Sequence, residues 1–183
     1  MTALRRHILR FARREDGFLA AEFIIMFPLL IWAFLAIYGF YDVMRVKVQN
    51  EKAAYSISDM LSRETQYITP TYISNTKKFY DYLLNGGNNS ALRVSSVRYS
   101  DSDDQYKITW SQVRGGQSAL TSSDIYDYHD HLPILASGDE LILVETWNDY
   151  EFPVETGIDD FTMTTFVFTR PRFAAQLKFD PDG

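Results

Sequence analysis

The chain has 183 residues, of which 46% are hydrophobic and 23% charged, proportions that belong to a folded protein with one ordinary core. It contains no cysteine, which excludes disulfides, zinc–thiolate sites, iron–sulfur clusters and cysteine nucleophiles. The net charge of −6 argues against a general nucleic-acid-binding protein, because such proteins need a basic surface.

Charge is distributed in three blocks along the chain. Residues 1–17 contain five arginines and two acids, and residues 18–41 contain a single charge, Glu22. Residues 42–183 contain 13 basic and 21 acidic residues, a net charge of −8. A basic leader, an apolar segment and an acidic body form the layout of a membrane-anchored protein. Because positive charge is retained on the cytoplasmic side, we expect a cytoplasmic leader at 1–17 and an extracytoplasmic domain at 42–183.

The apolar segment 18–41 predicts a transmembrane helix. Its 24 residues would rise about 36 Å as an α-helix, enough to cross a hydrocarbon core of about 30 Å. A secretory signal fits less well, because its apolar core is shorter and precedes a small-residue cleavage site. A buried core helix of this length would be expected to show a polar face. Pro28 predicts a kink within the segment.

Glu22 is the one charged residue of the apolar segment. A carboxylate inside a membrane span costs about 2.5–3.5 kcal/mol at the bilayer centre and less near the end of the span. Two interpretations remain open: the side chain reaches the cytoplasmic headgroups and does nothing else, or it pairs with another group. An acid in a membrane helix favours the second interpretation, a functional role.

Three stretches of the sequence resemble a known family. The run RREDG at 13–17, followed by FLAAEF at 18–23, resembles the processing junction of type IV prepilins. Its Glu-Phe pair and the early Pro-Leu-Leu are similar to the TadE/TadF-like pseudopilins of the Tad (Flp) pilus assembly system. The stretch 132–147 resembles that family's "LP…GD" turn and following strand, and the run RPRF at 170–173 resembles its C-terminal ending.

The resemblance implies a processing step and a role. A prepilin peptidase would cleave between Gly17 and Phe18, which makes Glu22 the fifth residue of the mature chain. The protein would be a minor pseudopilin of the bacterial inner membrane that spans it once and can enter the pilus. It would act by membrane insertion and by docking to other pilins, pseudopilins and the Tad machinery, without catalysis and without cofactors. The major fibre subunit fits less well, because Flp major pilins have little chain beyond the helix.

The chemistry of the junction supports this role independently. Cleavage before Phe18 would create an ammonium group four residues from Glu22, and positions i and i+4 share one helix face. Pairing lowers the cost of a carboxylate in a low-dielectric environment. We therefore expect the amino terminus of the same or an adjacent subunit to pair with Glu22.

The extracytoplasmic body begins with two predicted helices. Val46, Ala53, Ile57 and the pair at 60–61 recur at helical spacing, which predicts that the membrane helix continues over 42–66 and packs on a globular domain. A coiled-coil seam fits less well, because Asn50 interrupts the stripe. Thr69-Pro70 predicts the start of a second helix and the run GGNN at 86–89 its end.

The remaining sequence predicts strands and loops. Strands are expected at 92–99, around 106–110, at 140–147 and at 161–169, with a bulge near Ser95-Ser96. The acidic run 101–104 predicts the turn of a hairpin, and Tyr106, Ile108 and Trp110 alternate with polar residues. A long loop is expected over 112–139, with one helical turn near 124–132. The predicted fold is α+β: a long transmembrane helix that extends into a pilin-like head with a second helix and about four antiparallel strands.

The sequence offers weak candidates for chemistry. His129 and His131 would share one face of a strand and could bind a metal ion, with Asp127 or Asp130 as a third ligand. An exposed polar loop is the favoured interpretation, so no metal is predicted. Two alternatives to the pseudopilin remain: an unprocessed single-pass anchor whose head binds a ligand or partner, and a membrane-tethered metallohydrolase that rests on the two histidines alone.

Overall fold

The computed structural model describes residues 16–86, 89–152 and 159–183, so residues 1–15, which include every arginine of the leader, lie outside them. The elements in chain order are helix α1 (Asp16–Ser62), helix α2 (Pro70–Leu83), strands β1 (Ser90–Ser100) and β2 (Gln105–Arg114), a 3-10 helix (Asp124–His131), and strands β3 (Glu140–Tyr150) and β4 (Phe161–Thr169). The predicted α+β fold, a long N-terminal helix followed by a second helix and a four-stranded antiparallel sheet, is confirmed.

The chain divides into two compact units, and the break falls inside α1. The first unit contains the apolar part of α1 up to Asp42, together with Phe152. The second unit, called the head here, contains Val43 to Glu151 and Asp159 to Gly183.

Helix α1 has 47 residues and includes Pro28 without interruption. In the head, its side chains at 53, 57 and 61 are fully or almost fully buried, as the predicted stripe required. Full burial of the Ile57 and Leu61 side chains contributes about 1.5–3 kcal/mol each, and the Ala53 methyl contributes less. Asn50 is also buried, and its Oδ1 accepts a hydrogen bond of 2.5 Å from the Tyr80 hydroxyl on α2.

Local hydrogen bonds define both ends of helix α2. The Thr69 hydroxyl accepts a hydrogen bond of 3.2 Å from the backbone N–H of Tyr72, and Pro70 occupies the first helical position. At the other end, Asn85 has a φ of 59°, and the N–H of Gly86 donates to the carbonyl of Asp81 at 2.9 Å. This is a Schellman motif, in which an asparagine takes the left-handed position one residue before the glycines predicted to end the helix.

The sheet has the strand order β2-β1-β3-β4 and is antiparallel throughout. Strand β4 has the predicted bounds, whereas β1, β2 and β3 each extend a few residues beyond the prediction. The acidic run 101–104 forms the turn between β1 and β2, as predicted.

The irregularity predicted near Ser95-Ser96 occurs between Ser96 and Val97, but the extra residue lies on the partner strand β2 and changes which face its aromatic residues occupy. Ser96 pairs with Trp110, but the next residue, Val97, pairs with Ile108, so Thr109 is the extra residue. Tyr106 and Ile108 therefore belong to one core cluster and Trp110 packs against the other. The expectation of one continuous alternation through Trp110 is wrong, because an extra residue inverts the side-chain period of two.

The head buries both faces of its sheet. One cluster joins α1 and α2 to the sheet, with the following buried members: Ala53, Ile57, Leu61, Ile68, Ile73, Tyr80, Leu92, Val94, Ile142, Val144 and Leu177. The second cluster joins the opposite face to the 115–139 loop, with the following members: Val97, Tyr99, Tyr106, Leu120, Ile125, Leu132, Leu141 and Leu143. This double burial explains why β1 and β3 are apolar or buried at nearly every position.

Candidate functional site

The apolar part of α1 is exposed along its length. The helix stretch from Ala21 has a mean hydropathy of 2.3 in its most apolar 18-residue window, and only 6% of that window is buried. A core helix of a soluble protein would bury most of such a surface. Within the part of the chain that the structure describes, this is one helix that is long and apolar enough to cross a membrane. In a bilayer, a continuous helix satisfies its backbone polar groups internally, except that the Ile24 carbonyl has no helical donor because Pro28 lacks an N–H.

The predicted junction residues lie at the beginning of this helix. The backbone is helical from Asp16, so Gly17 and Phe18 belong to the first turn and Glu22 is one turn beyond Phe18. The side chain of Glu22 is exposed. The rings of Phe23, the next residue, and Phe27 stack on each other with centroids 5.0 Å apart. An amino group created at Phe18 would thus lie on the same helix face as Glu22.

Gly39 marks a close contact within the first unit. The residue is buried, and a Cβ atom at this position would lie 1.8 Å from Cζ of Phe152. The absence of a side chain at Gly39 therefore makes the contact with the Phe152 ring possible.

Two segments that the sequence analysis singled out, 132–147 and 170–173, meet in the head. The Arg170 guanidinium pairs with the Asp139 carboxylate, which follows Gly138 at the turn before β3. Arg172 lies 3.2 Å from the Asp59 carboxylate, and its backbone N–H donates to the Ser62 carbonyl at the end of α1 at 2.7 Å. The segment after β4 is therefore bonded both to the turn before β3 and to α1. Phe173 itself is exposed.

Glu140, the residue after Asp139, is buried and accepts hydrogen bonds from two other segments. Its Oε1 accepts hydrogen bonds from the Ser96 hydroxyl and, at 3.0 Å, from the backbone N–H of Leu177. Its Oε2 lies 3.4 Å from the Arg98 guanidinium. The carboxylate therefore connects β1, β3 and the C-terminal segment.

A second buried charge lies on the loop-covered face of the sheet. Arg93 on β1 donates through Nε to Glu145 Oε2 at 2.5 Å and through Nη2 to Glu145 Oε1 at 2.7 Å. The Tyr128 hydroxyl donates to the same Oε1 at 2.6 Å, and the Ser118 carbonyl accepts from Arg93 Nη1 at 3.0 Å. The guanidinium also lies over the Trp147 ring, 5.0 Å from its centroid. These contacts attach the 115–139 loop to the sheet.

The environment of this charge pair shifts two pKa values. Burial alone would lower the pKa of Arg93, but the hydrogen bonds and the charge of Glu145 outweigh it and raise that pKa. Burial, followed by the hydrogen bond to Glu145, raises the pKa of Tyr128 to about 12. Arg93 therefore stays a cation and Tyr128 a neutral donor across the physiological range.

Two cavities lie beside the 3-10 helix, and one of the two histidines lines each of them. His131, Glu145, Trp147 and Phe166 are among the residues lining a cavity of about 510 Å³. His129 lines a separate cavity of about 330 Å³.

His129, on the 3-10 helix, contacts the hairpin turn between β1 and β2. Its Nε2 lies 3.4 Å from Asp104 Oδ1, and the hydrogen bond to Asp104 raises the pKa of His129. The helical turn predicted near 124–132 is confirmed as a 3-10 helix over Asp124–His131. The alternative in which both imidazoles share one strand face therefore does not fit, because residues two apart in such a helix point in different directions. Among the described residues, no group of three or more histidine and carboxylate side chains could hold a metal ion.

Sequence reasoning did not find the pairing of Arg93 with Glu145. The two residues are separated by 52 positions, and no local motif joins them. A charged residue at each of two inward-facing strand positions is the only signal the sequence contains.

No family model, curated protein or solved structure matches this chain.

Proposed function

We propose that the protein is a membrane-anchored, TadE-like minor pseudopilin that contributes to assembly of a Flp-type pilus. One observation carries the proposal: a single 47-residue helix is exposed and apolar in its first part and packs into a globular head in its last part. Such a helix anchors the protein and connects the anchor to the head in one continuous element. The protein works by insertion and docking, without a catalytic step.

The membrane orientation follows from charge. Five arginines precede the helix and an acidic domain follows it, so the leader stays in the cytoplasm and the head lies on the periplasmic side of the bacterial inner membrane. In this orientation a prepilin peptidase can cleave between Gly17 and Phe18 at the cytoplasmic face.

Glu22 sets the register between subunits in this proposal. A free amino group at Phe18 would lie one helical turn away, within reach of its own Glu22 or that of a neighbour. An unpaired carboxylate inside the membrane raises the free energy of the subunit. A subunit whose Glu22 has no partner is therefore stabilised when the amino terminus of a neighbouring subunit pairs with that carboxylate. The segments 132–139 and 170–173, which carry the later part of the resemblance, are joined by the ion pair between Asp139 and Arg170.

The experiment that tests this function is intact mass measurement and N-terminal sequencing of protein purified from membranes. A chain that begins at Phe18 is expected, and Gly17→Leu should retain Met1. Glu22→Leu should be processed but excluded from pilus-linked complexes, with Glu22→Gln as the isosteric control for lost charge. A functional chain that keeps its leader would contradict the proposal.

The alternative is an unprocessed single-pass anchor whose head binds a ligand or partner. The cavity of about 510 Å³ next to the buried pair of Arg93 and Glu145 favours it, because aromatic walls and a few fixed polar groups are typical of ligand sites. In that case the purified chain would begin at Met1 and would function equally well with Glu22→Leu.

A further inference from the structure

The register of β3 and β4 forms the floor of the cavity of about 510 Å³, called the aromatic cavity here. Trp147 on β3 lies opposite Thr164 on β4, and Glu145 lies opposite Phe166. Because residues two apart on a strand share a face, these four side chains lie on one face of the sheet. The volume of the cavity falls within the range of about 300–1,000 Å³ that is typical of small-molecule sites.

The 3-10 helix forms the wall of the aromatic cavity. Tyr128 and His131, both on this helix, contribute to its lining. The Tyr128 ring packs against the Phe166 ring with centroids 5.5 Å apart. The Arg93 guanidinium lies over one face of the Trp147 ring, which leaves the opposite face for another contact. Three aromatic side chains therefore present apolar surface to a ligand.

The charges beside the aromatic cavity are balanced within the protein. Arg93 donates four hydrogen bonds, two to Glu145, one to the Tyr128 hydroxyl and one to the Ser118 carbonyl. A guanidinium has five N–H donors, so little of it remains for an anionic ligand. A cationic ligand would meet a carboxylate whose charge Arg93 already neutralises. This balance favours a neutral ligand.

Several polar groups of the cavity can still form hydrogen bonds. Glu145 Oε1 accepts from both Arg93 and Tyr128, whereas Oε2 accepts from Arg93 alone. Since each carboxylate oxygen can accept two hydrogen bonds, Oε2 can accept one more. Within the described part of the chain, the Thr164 hydroxyl and the Trp147 indole N–H also have no hydrogen-bond partner. The cavity thus offers both donors and acceptors next to its aromatic rings.

We infer that the aromatic cavity binds a neutral saccharide. A sugar ring combines hydroxyl groups along its edge with a face of C–H groups, and such a face packs on aromatic rings. The hydroxyl groups match Glu145, Thr164 and the Trp147 indole, and the C–H face matches the free face of Trp147 and the Phe166 ring. A purely apolar ligand would leave the polar groups of the cavity without hydrogen bonds.

The site belongs to the head, and a cleaved pseudopilin and an uncleaved anchor would both have that head. Leader processing therefore tests the proposed function, whereas saccharide binding tests this inference, so the two can fail separately.

Isothermal titration calorimetry of the full-length protein tests the binding. The protein is kept in lauryldimethylamine oxide micelles, because this detergent has no sugar headgroup. The neutral probes are maltotetraose, cellotetraose and N-acetylated chitotetraose. The charged probes are deacetylated chitotetraose, a cation, and tetragalacturonic acid, an anion. Co-sedimentation with peptidoglycan sacculi distinguishes an envelope glycan from a free oligosaccharide as the source of the ligand.

We expect at least one neutral probe to bind with a dissociation constant below about 1 mM and both charged probes to bind at least about tenfold more weakly. The inference is overturned if no neutral probe binds in this range, or if a charged probe binds as tightly as the best neutral one.

A pair of matched variants locates the binding. Thr164 is exposed and lines the cavity, so Thr164→Trp should fill the space and weaken binding by about tenfold or more. Thr162→Trp makes the same change on the same face of β4 outside the lining and should alter the affinity by no more than about twofold. Circular dichroism of both variants verifies the fold.

NMR gives a second readout at the cavity. The indole N–H resonance of Trp147, assigned with Trp147→Phe, should shift when the best neutral probe is added. An unshifted indole resonance, unchanged binding in Thr164→Trp, or an equal loss in Thr162→Trp would each show that the aromatic cavity is not the saccharide site.

Discussion

Removing one partner of the buried ion pair should destabilise the head far more than removing both. The side chains of Arg93 and Glu145 are only 11% and 6% exposed, and two hydrogen bonds join them. Arg93→Met would leave the Glu145 carboxylate in the sheet with Tyr128 as its remaining hydrogen-bond donor among the described residues. It would also release the Ser118 carbonyl and the Trp147 ring.

The expected cost follows from the burial of the carboxylate left behind. Breaking a buried pair by removing one charge typically costs about 3–5 kcal/mol, a hundred- to several-thousand-fold change in the folding equilibrium. Replacing both charges with apolar residues of similar size is often neutral, because both desolvation penalties disappear. Arg93→Met with Glu145→Leu should therefore recover most of the stability lost in Arg93→Met.

Urea unfolding of the full-length protein in detergent micelles, followed by circular dichroism, measures the free energy of unfolding of each variant. Arg63→Met is the surface control, since Arg63 and Asp59 form an exposed pair that should contribute no more than about 1 kcal/mol. A loss below about 1 kcal/mol for Arg93→Met, or a double variant less stable than it, would refute this reasoning.

Three further predictions concern single contacts. Gly39→Ala should displace the Phe152 ring and lower the melting temperature, whereas adding Phe152→Ala should remove the clash and with it the effect of Gly39→Ala. The pKa of His129, measured by NMR titration, should lie above its ordinary value and fall towards it in Asp104→Asn. Because the folded-state pKa is raised, the stabilisation from this contact is present below the unfolded-state pKa and is lost as the pH rises through the folded-state pKa. Thr69→Ala should cost about 1 kcal/mol of unfolding free energy and Thr69→Ser much less, because serine keeps the capping oxygen; an equal loss in both would contradict the capping role.

The sequence by itself determined the features that depend on neighbouring residues. The apolar helix follows from a run of apolar side chains in which Glu22 is the one charge, and the start of α2 follows from Thr69 and Pro70. The turn at 101–104 and the bounds of β4 also follow from local turn chemistry and the proline after the strand. Each of these features depends on interactions between residues that are close in sequence, so the sequence alone specifies it.

Only the tertiary structure decided the features that join distant residues. The bulge at Thr109 sends Trp110 to the opposite face, because the register of β2 is set by its partner strand. The joining of Arg93 to Glu145 and of Asp139 to Arg170 depends on the strand order, which no local pattern specifies. The separation of His129 from His131 depends on a 3-10 helix that packs against the sheet through Ile125. Packing of distant segments overrides local periodicity at these positions, because burial and charge pairing there outweigh the small free energies of local preference.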